Sequence, residues 1–428
     1  MRNRSRPPGM TFRPPSFDSA LGSQIIELHA WAVRQGLGGA EAAAFFDGFC
    51  RRLVVAGVPL WRAFAGMQTL HPQWGGYSYT WRRDLNAIQP AQFERGDEYE
   101  QDVSTSPFGD LIRQLETSTG EAVPWLHLRR RLVGPEARLD FPILEQLAAS
   151  GATDYFAELV RFGKGGDPSR GIGVGYSFAT DRTSGFRDDD LELLQAVLPA
   201  ASLAMMADAS HAIASGLLQA YLGSDAGQRV HSGAVVRGSV ESIHAVLWYA
   251  DIRGFTAIAD TTSGLQVIEL LNDVFETLTA LLRARGGQVL KFLGDGMLAA
   301  FPSVHAPRRK VSRQALEAAR EAMQAIDRLN TTRRQAGKSV AEVDLALHLG
   351  EVLYGNVGAI DRLDFTVIGP AVNEVARMET LCQPLGCKVL VSAELAAAVG
   401  DDPRLYSLGR HALRGVREGR ELYGLDLG

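Results

Sequence analysis

An aspartate closing an apolar run, a second aspartate inside a Gly-Asp-Gly turn, and an asparagine and an arginine four residues apart are the side chains whose types and spacing could do chemistry. Ile243 to Ala250 is nearly continuous in apolar residues, which predicts a buried strand, and it runs into Asp251-Ile252-Arg253-Gly254-Phe255-Thr256. Beyond Asp251 the chain turns through Gly254 into a helix whose first N–H groups suit phosphate oxygens. Alone, Asp251 reads equally well as a turn residue or helix cap. Further on, two apolar runs between Gln288 and Phe301 are joined by Gly294-Asp295-Gly296, a hairpin pattern that needs no function to explain Asp295. The pair means more than either member. If strand and hairpin are neighbours, the two carboxylates converge, and a dry carboxylate pair repels unless a cation lies between. Two divalent ions about 4 Å apart are the usual remedy, and phosphoryl-type displacement uses the same arrangement.

A third element must bring the asparagine and arginine to the same place. Leu363 to Ile368 reads as a strand, Gly369-Pro370 as a tight turn, and the residues after it as a helix. Ala371, Val375, Met378 and Cys382 then form an apolar stripe, while Asn373 and Arg377 share the opposite face, either free to meet a ligand or simply solvated.

Three strings, taken together, are similar to the signatures of class III adenylate cyclases: Tyr249 to Thr256, Lys291 to Gly296, and Val367 to Arg377, in that order. Leu347 to Gly358 resembles the family's Gly-rich β-hairpin, and Leu413-Arg414-Gly415 resembles its triphosphate-binding segment. The resemblance implies an α+β, ferredoxin-like catalytic domain over residues 241–428. It implies that Asp251, Asp295 and the backbone of Ile252 hold two Mg2+ (or Mn2+) ions per active site. Asn373 would orient the ribose of ATP and Arg377 would neutralise charge building on the α-phosphate. Phe255, Thr256 and Arg414 would bind substrate, and Lys291 and Thr366 would read adenine. In this family the metal aspartates come from one subunit and Lys291, Thr366, Asn373, Arg377 and Arg414 from the other, so a homodimer with shared sites is implied. The departures are Thr366 where many members carry Asp, Arg414 in place of Lys, and Pro370 in place of an acidic residue. A guanylate cyclase, differing at the two base-reading positions, is the alternative; a silent nucleotide-binding regulator is another, though no metal aspartate, Asn or Arg is lost.

The rest of the chain must position and control this domain. At 428 residues and 46% hydrophobic composition it has room for two or three cored domains. A net charge of -5 with scattered basic residues gives no footprint for nucleic acid. Cys50, Cys382 and Cys387 have no metal-ligand spacing and suit a reducing, cytoplasmic setting. No secretory signal is expected, and the apolar stretch Leu191 to Met206 is too short to span a bilayer. Residues 1–16, rich in Arg and Pro, are expected to be disordered, and residues 17–187 to form an α+β sensor module. Its end, Gly175 to Thr180 followed by Gly185-Phe186 and an acidic helix start, resembles the close of a GAF domain, with a PAS-like sensor as the broader class; an unknown small molecule or protein would regulate it. Trp31, Trp61, Trp74, Trp81 and Trp125 could line a pocket or form core, while His29, His71 and His127 show no metal spacing. Residues 188–240 are expected to be a signalling helix and linker. Leu191, Leu194, Leu198, Ala201 and Met205 follow the a/d pattern of a coiled-coil seam, interrupted by Asp208 and crossed by Pro199; the other possibility is a helix lying on its own domain.

Overall fold

Apolar residues three and four apart open the chain as two helices, α1 (Ala20–Leu37) and α2 (Ala42–Val55), the first capped by the Ser19 hydroxyl accepting from the Gly22 N–H at 2.9 Å. The computed structural model describes residues 19–85, 87–117, 125–162, 173–304 and 306–428, so the expected tail at 1–16 lies outside the described residues. The chain divides into two units, Met1–Leu217 and Leu218–Gly428.

In the first unit the helices are followed by β1 (Arg62–Gln68), β2 (Trp74–Arg82), β3 (Ala87–Glu94), α3 (Asp97–Ser104), α4 (Pro107–Thr117), β4 (Trp125–Arg131), α5 (Pro142–Ala149), β5 (Asp154–Arg161), β6 (Gly173–Thr180) and α6 (Asp188–Leu222). The strands form one antiparallel sheet in the order β3-β2-β1-β6-β5-β4. Because side chains alternate along a strand, Ala63, Ala65, Phe156, Val174 and Phe178 face one side and pack with α1, α2 and α6, while Tyr155 and Ala157 face the other with Leu111, Leu144 and Leu147 of α4 and α5. At the sheet's end Asp154 is fully buried, and Arg129 (2.7 Å), Arg131 (3.3 Å) and the Phe186 N–H (2.9 Å) all donate to it.

The coiled-coil reading of the exit helix is corrected here. Leu194, Leu198, Ala201 and Met205 are each 0% exposed and belong to the first unit's own core, with Leu191 packed against it. These side chains are consumed within one chain and are not available to a partner helix. Asp208, which interrupts the seam, accepts from the Ala42 N–H at 3.0 Å and so caps α2. Helix α6 is long and apolar enough to cross a membrane by length and composition, but 56% of its most apolar 18 residues are buried in the fold.

The second unit contains α7 (Ser224–His231), β7 (Val240–Ile252), α8 (Phe255–Thr261), α9 (Gly264–Ala284), β8 (Gln288–Leu293), β9 (Gly296–Pro302), α10 (Arg308–Gln335), β10 (Val343–Gly358), β11 (Leu363–Ile368), α11 (Pro370–Glu379), β12 (Val389–Ser392), α12 (Ala393–Val399), β13 (Leu405–His411) and β14 (Arg420–Leu425). Its sheet runs β13-β14-β12-β10-β7-β9-β8, with β11 paired to β10 and only β10/β12 parallel among the described strands. Strand β7 is apolar on every side because both its faces are covered: Val246, Trp248 and Ala250 pack with α9 and α10, and Ile243, Ala245 and Leu247 pack with α11. The stretch expected as linker is folded onto this unit, with Ala226 in the α11-side core and Asp225 accepting from the Tyr354 hydroxyl at 2.7 Å. The expected hairpin within Leu347–Gly358 is instead one continuous strand, paired with β7 from Val343 to Gly355; its hairpin partner is β11, from Leu353↔Ile368 to Gly358↔Leu363.

Candidate active site

The apolar strand β7 delivers Asp251 to the rim of the sheet, where the register Ala250↔Met297 brings the β8–β9 turn alongside it. Gly296 faces Asp251 so closely that a Cβ there would lie 3.0 Å from Oδ1, which leaves the carboxylate room beside Asp295. Gly254 takes the left-handed conformation (φ 66°) and turns the chain into α8, whose first turn carries half-buried Phe255 and exposed Thr256. The two aspartates meet as expected. Burial first, then the charge of Asp295 and a hydrogen bond with it, push Asp251 up to about 6, against the pull of the Ile252 N–H.

Two further acids close in. Asp344 of β10 stands directly opposite Asp251 and is 2% exposed; Arg253 donates to it through Nε at 3.0 Å and also through Nη2. Glu379, at the end of α11, is pushed up to about 7 by burial and by Asp251, Asp344 and Asp295. Thus the guanidinium at hand is engaged by Asp344 and Glu342, and Asp251 and Asp295 face each other with no cationic side chain of their own among the described residues. That donor set, hard anionic oxygens held together against their repulsion, fits divalent cations. Among the described residues no three or more His, Cys, Asp or Glu side chains are grouped to hold a metal, so the fit rests on these two carboxylates. Ile252 has its side chain buried at 3% exposure and offers the site only backbone.

Helix α11 starts with Pro370 at its first turn and buries Ala371, Val375, Met378 and Cys382 as the stripe predicted. Asn373 on the other face is exposed and Arg377 half-buried. Arg377 reaches the turn at exposed Arg414: a Cβ on Gly415 would lie 3.4 Å from its Nη1. On β11, Phe365 and Val367 enter the core, leaving Asp364 and Thr366 on the opposite face. Lys291 is paired with Asp364, beside a cavity of about 300 Å3 that both residues line together with Tyr354. Thr366 is two residues along that face and is not part of the cavity wall.

Asp364, Glu379 and the Arg253–Asp344 pair were not singled out from sequence. Asp344 carried a signal, a lone acid in the apolar run Val343 to Leu347, and Glu379 stands two residues after Arg377. Nothing local marks Asp364, since its partner is 73 residues away.

Residues 238–426 match the family described as the adenylate and guanylate cyclase catalytic domain. Over these residues the chain is similar to the class III cyclases. Relatives of the cyclase domain include the adenylate cyclase of Anabaena cylindrica, 31% identical over 159 residues, or 36% of this chain and 30% of that protein. Adenylate cyclase 1 of Rhizobium meliloti is 26% identical over 199 residues, 44% of this chain and 30% of the relative. An uncharacterized protein of Mycobacterium tuberculosis is 37% identical over 181 residues, 41% of this chain and 31% of the relative. The chain thus spans only about 30% of the length of these relatives. Among solved structures, the adenylyl cyclase CyaB from P. aeruginosa is 23% identical with a TM-score of 0.41, covering 44% of this chain and 100% of that one. The guanylyl cyclase Cya2 is 23% identical with a TM-score of 0.39, covering 44% and 93%.

Proposed function

We propose that the chain is an adenylate cyclase that converts ATP to 3',5'-cyclic AMP and pyrophosphate in a homodimer, under control of its N-terminal unit. The observation that carries this reading is the Asp251–Asp295 carboxylate pair, half-buried and without a cationic side chain of its own among the described residues. Two divalent ions, Mg2+ or Mn2+, bound by these carboxylates and the Ile252 backbone would activate the ribose 3'-hydroxyl and neutralise the triphosphate. The protein's own groups do the rest. Asn373 orients the ribose, Arg377 meets the charge that builds on the α-phosphate, and Phe255, Thr256 and Arg414 hold the phosphates. Lys291 donates to a ring nitrogen of adenine and Thr366 accepts from its exocyclic amine. Asp364 fixes where Lys291 sits. Cyclase domains of this class work as dimers, and the metal residues of one protomer serve the Lys291, Thr366, Asn373, Arg377 and Arg414 of its partner. The three cysteines are free and buried, in keeping with a cytoplasmic location.

Complementation tests the reading. Asp251→Ala and Arg377→Ala proteins, each expected to be inactive, are mixed and assayed for cyclic AMP from ATP, and for cyclic GMP from GTP, with magnesium or manganese. Recovered cyclic AMP supports shared sites. Absence of recovery in demonstrated heterodimers overturns the sharing, full activity of Asp251→Ala overturns the metal roles, and a larger GTP rate overturns the choice of adenine.

A further inference from the structure

The first unit holds a cavity of about 270 Å3 on the sheet face turned away from α1, α2 and α6. Period-two alternation puts Arg62, Phe64 and Gly66 of β1, Tyr155 and Arg161 of β5, and Gly175 and Ser177 of β6 on that face. Gly66 and Gly175 are direct partners across β1 and β6, so this part of the sheet is bare backbone. Aromatic rings lie against it: a Cβ on Gly175 would fall 2.8 Å from the Phe108 ring and one on Gly66 2.9 Å from the Phe64 ring. Phe64 and Phe108 are themselves 5.8 Å apart between centroids. The glycines let these rings sink onto the sheet, and the volume left beside them is a mostly apolar slot.

Its charges are unusual for this unit. Arg129, Arg130, Arg131, Arg82, Arg83 and Arg182 each pair with an aspartate. Arg62 and Arg161 line the slot together with Asp102, and neither has a carboxylate within ion-pair distance among the described residues; Arg62 lies over the Phe64 ring at 5.6 Å. The Nε of Arg161 is buried and without a hydrogen-bond partner. A buried guanidinium nitrogen left unpaired costs free energy that a bound acceptor would return. The volume, just under the usual range of small-molecule clefts, suits one or two fused rings.

We propose that this slot binds a small flat aromatic carboxylate, its ring system beside Phe64 and Phe108 and its oxygens on Arg161. The fork of an arginine matches a carboxylate in geometry as well as charge. Nothing in this inference depends on cyclase turnover, so binding is read directly.

The test uses the full chain with 2-naphthoate and its neutral analogue 2-naphthamide, by titration calorimetry and by methyl spectra labelled at isoleucine. The expected result is saturable 1:1 binding of naphthoate, about tenfold or more tighter than the amide, with shifts concentrated at Ile112 and Ile143, which line the slot. Arg161→Gln should abolish the preference for the acid, and Arg161→Lys should keep part of it, with thermal midpoints near that of the parent. Equal affinity for acid and amide, no saturation by either probe, or shifts away from Ile112 and Ile143 would each overturn the proposal. The isoleucine spectra need no substitution, so a variant that failed to fold would leave the test intact.

Discussion

Each unit sets an aspartate at the end of an interior strand of its sheet, and the surroundings of the two are opposite in kind. Asp154 is fully buried and receives two arginines and a backbone N–H. Asp251 is half-buried among Asp295, Asp344 and Glu379, and the adjacent Arg253 is spent on Asp344 and Glu342. The first unit shows how this chain satisfies a buried carboxylate when the purpose is to hold strands together. Leaving the second pair without a cation costs stability, and such a cost persists where charge is to be supplied from outside.

The sharpest way to break this contrast is to neutralise both aspartates. Asp251→Asn should lower cyclase turnover by at least about a hundredfold while leaving the unfolding midpoint unchanged or slightly higher, because it relieves repulsion. Asp154→Asn should cost about 3–5 kcal/mol in the urea unfolding of the first unit, since two arginines lose their partner. If Asp251→Asn destabilised as strongly as Asp154→Asn, the distinction would fall.

A second, smaller effect separates the units by pH. Glu158 in the first unit is 1% exposed, its Oε2 has no partner, and burial pushes it up to about 8 from 4.5. A carboxyl raised on folding holds its proton in the folded state, so its stabilising contribution is complete below about 4.5 and is lost as pH rises towards 8. Glu158→Gln should therefore match the parent near pH 4.5 and exceed it at pH 8, by on the order of 2–4 kcal/mol, as read from chemical denaturation at both pH values. Identical curves for parent and variant would refute the buried acid.

The smallest expected effect concerns the exposed pair at the base-reading end. Asp364→Asn should raise the KM for ATP about threefold to tenfold and narrow the ATP-over-GTP ratio, with no change in unfolding midpoint. An unchanged ratio would remove Asp364 from the specificity determinants.

Much of the second unit was legible because its signals are local. The unbroken run of β7 encodes two covered faces, Gly294-Asp295-Gly296 encodes a turn, and the Ala371–Val375–Met378 stripe encodes which side of α11 is left for Asn373 and Arg377. The exit helix was misread because a/d spacing describes any helix with one narrow apolar face, whether it meets a second helix or its own sheet. Asp208 held the clue, as a charge in a seam that turned out to cap α2. The glycines of β10 suggested a hairpin, yet pairing with β7 along thirteen rungs carries the strand straight through them. The Lys291–Asp364 pair and the position of Glu379 depend on which strands lie side by side, and no local pattern encodes that.

The pairing of β7 with β10 also sets when the site can come into being. Arg253 and Asp344 are 91 residues apart in the chain, and Asp251 gains its cross-strand neighbour Asp344 only when that distant strand has docked. Helices α9 and α10 and the β8–β9 hairpin can close from near neighbours, whereas this join carries the loop-closure entropy of everything between. During synthesis the acidic cluster therefore assembles only after β10 has emerged, and a chain stalled before that point would carry Asp251 and Asp295 without the strand that frames them.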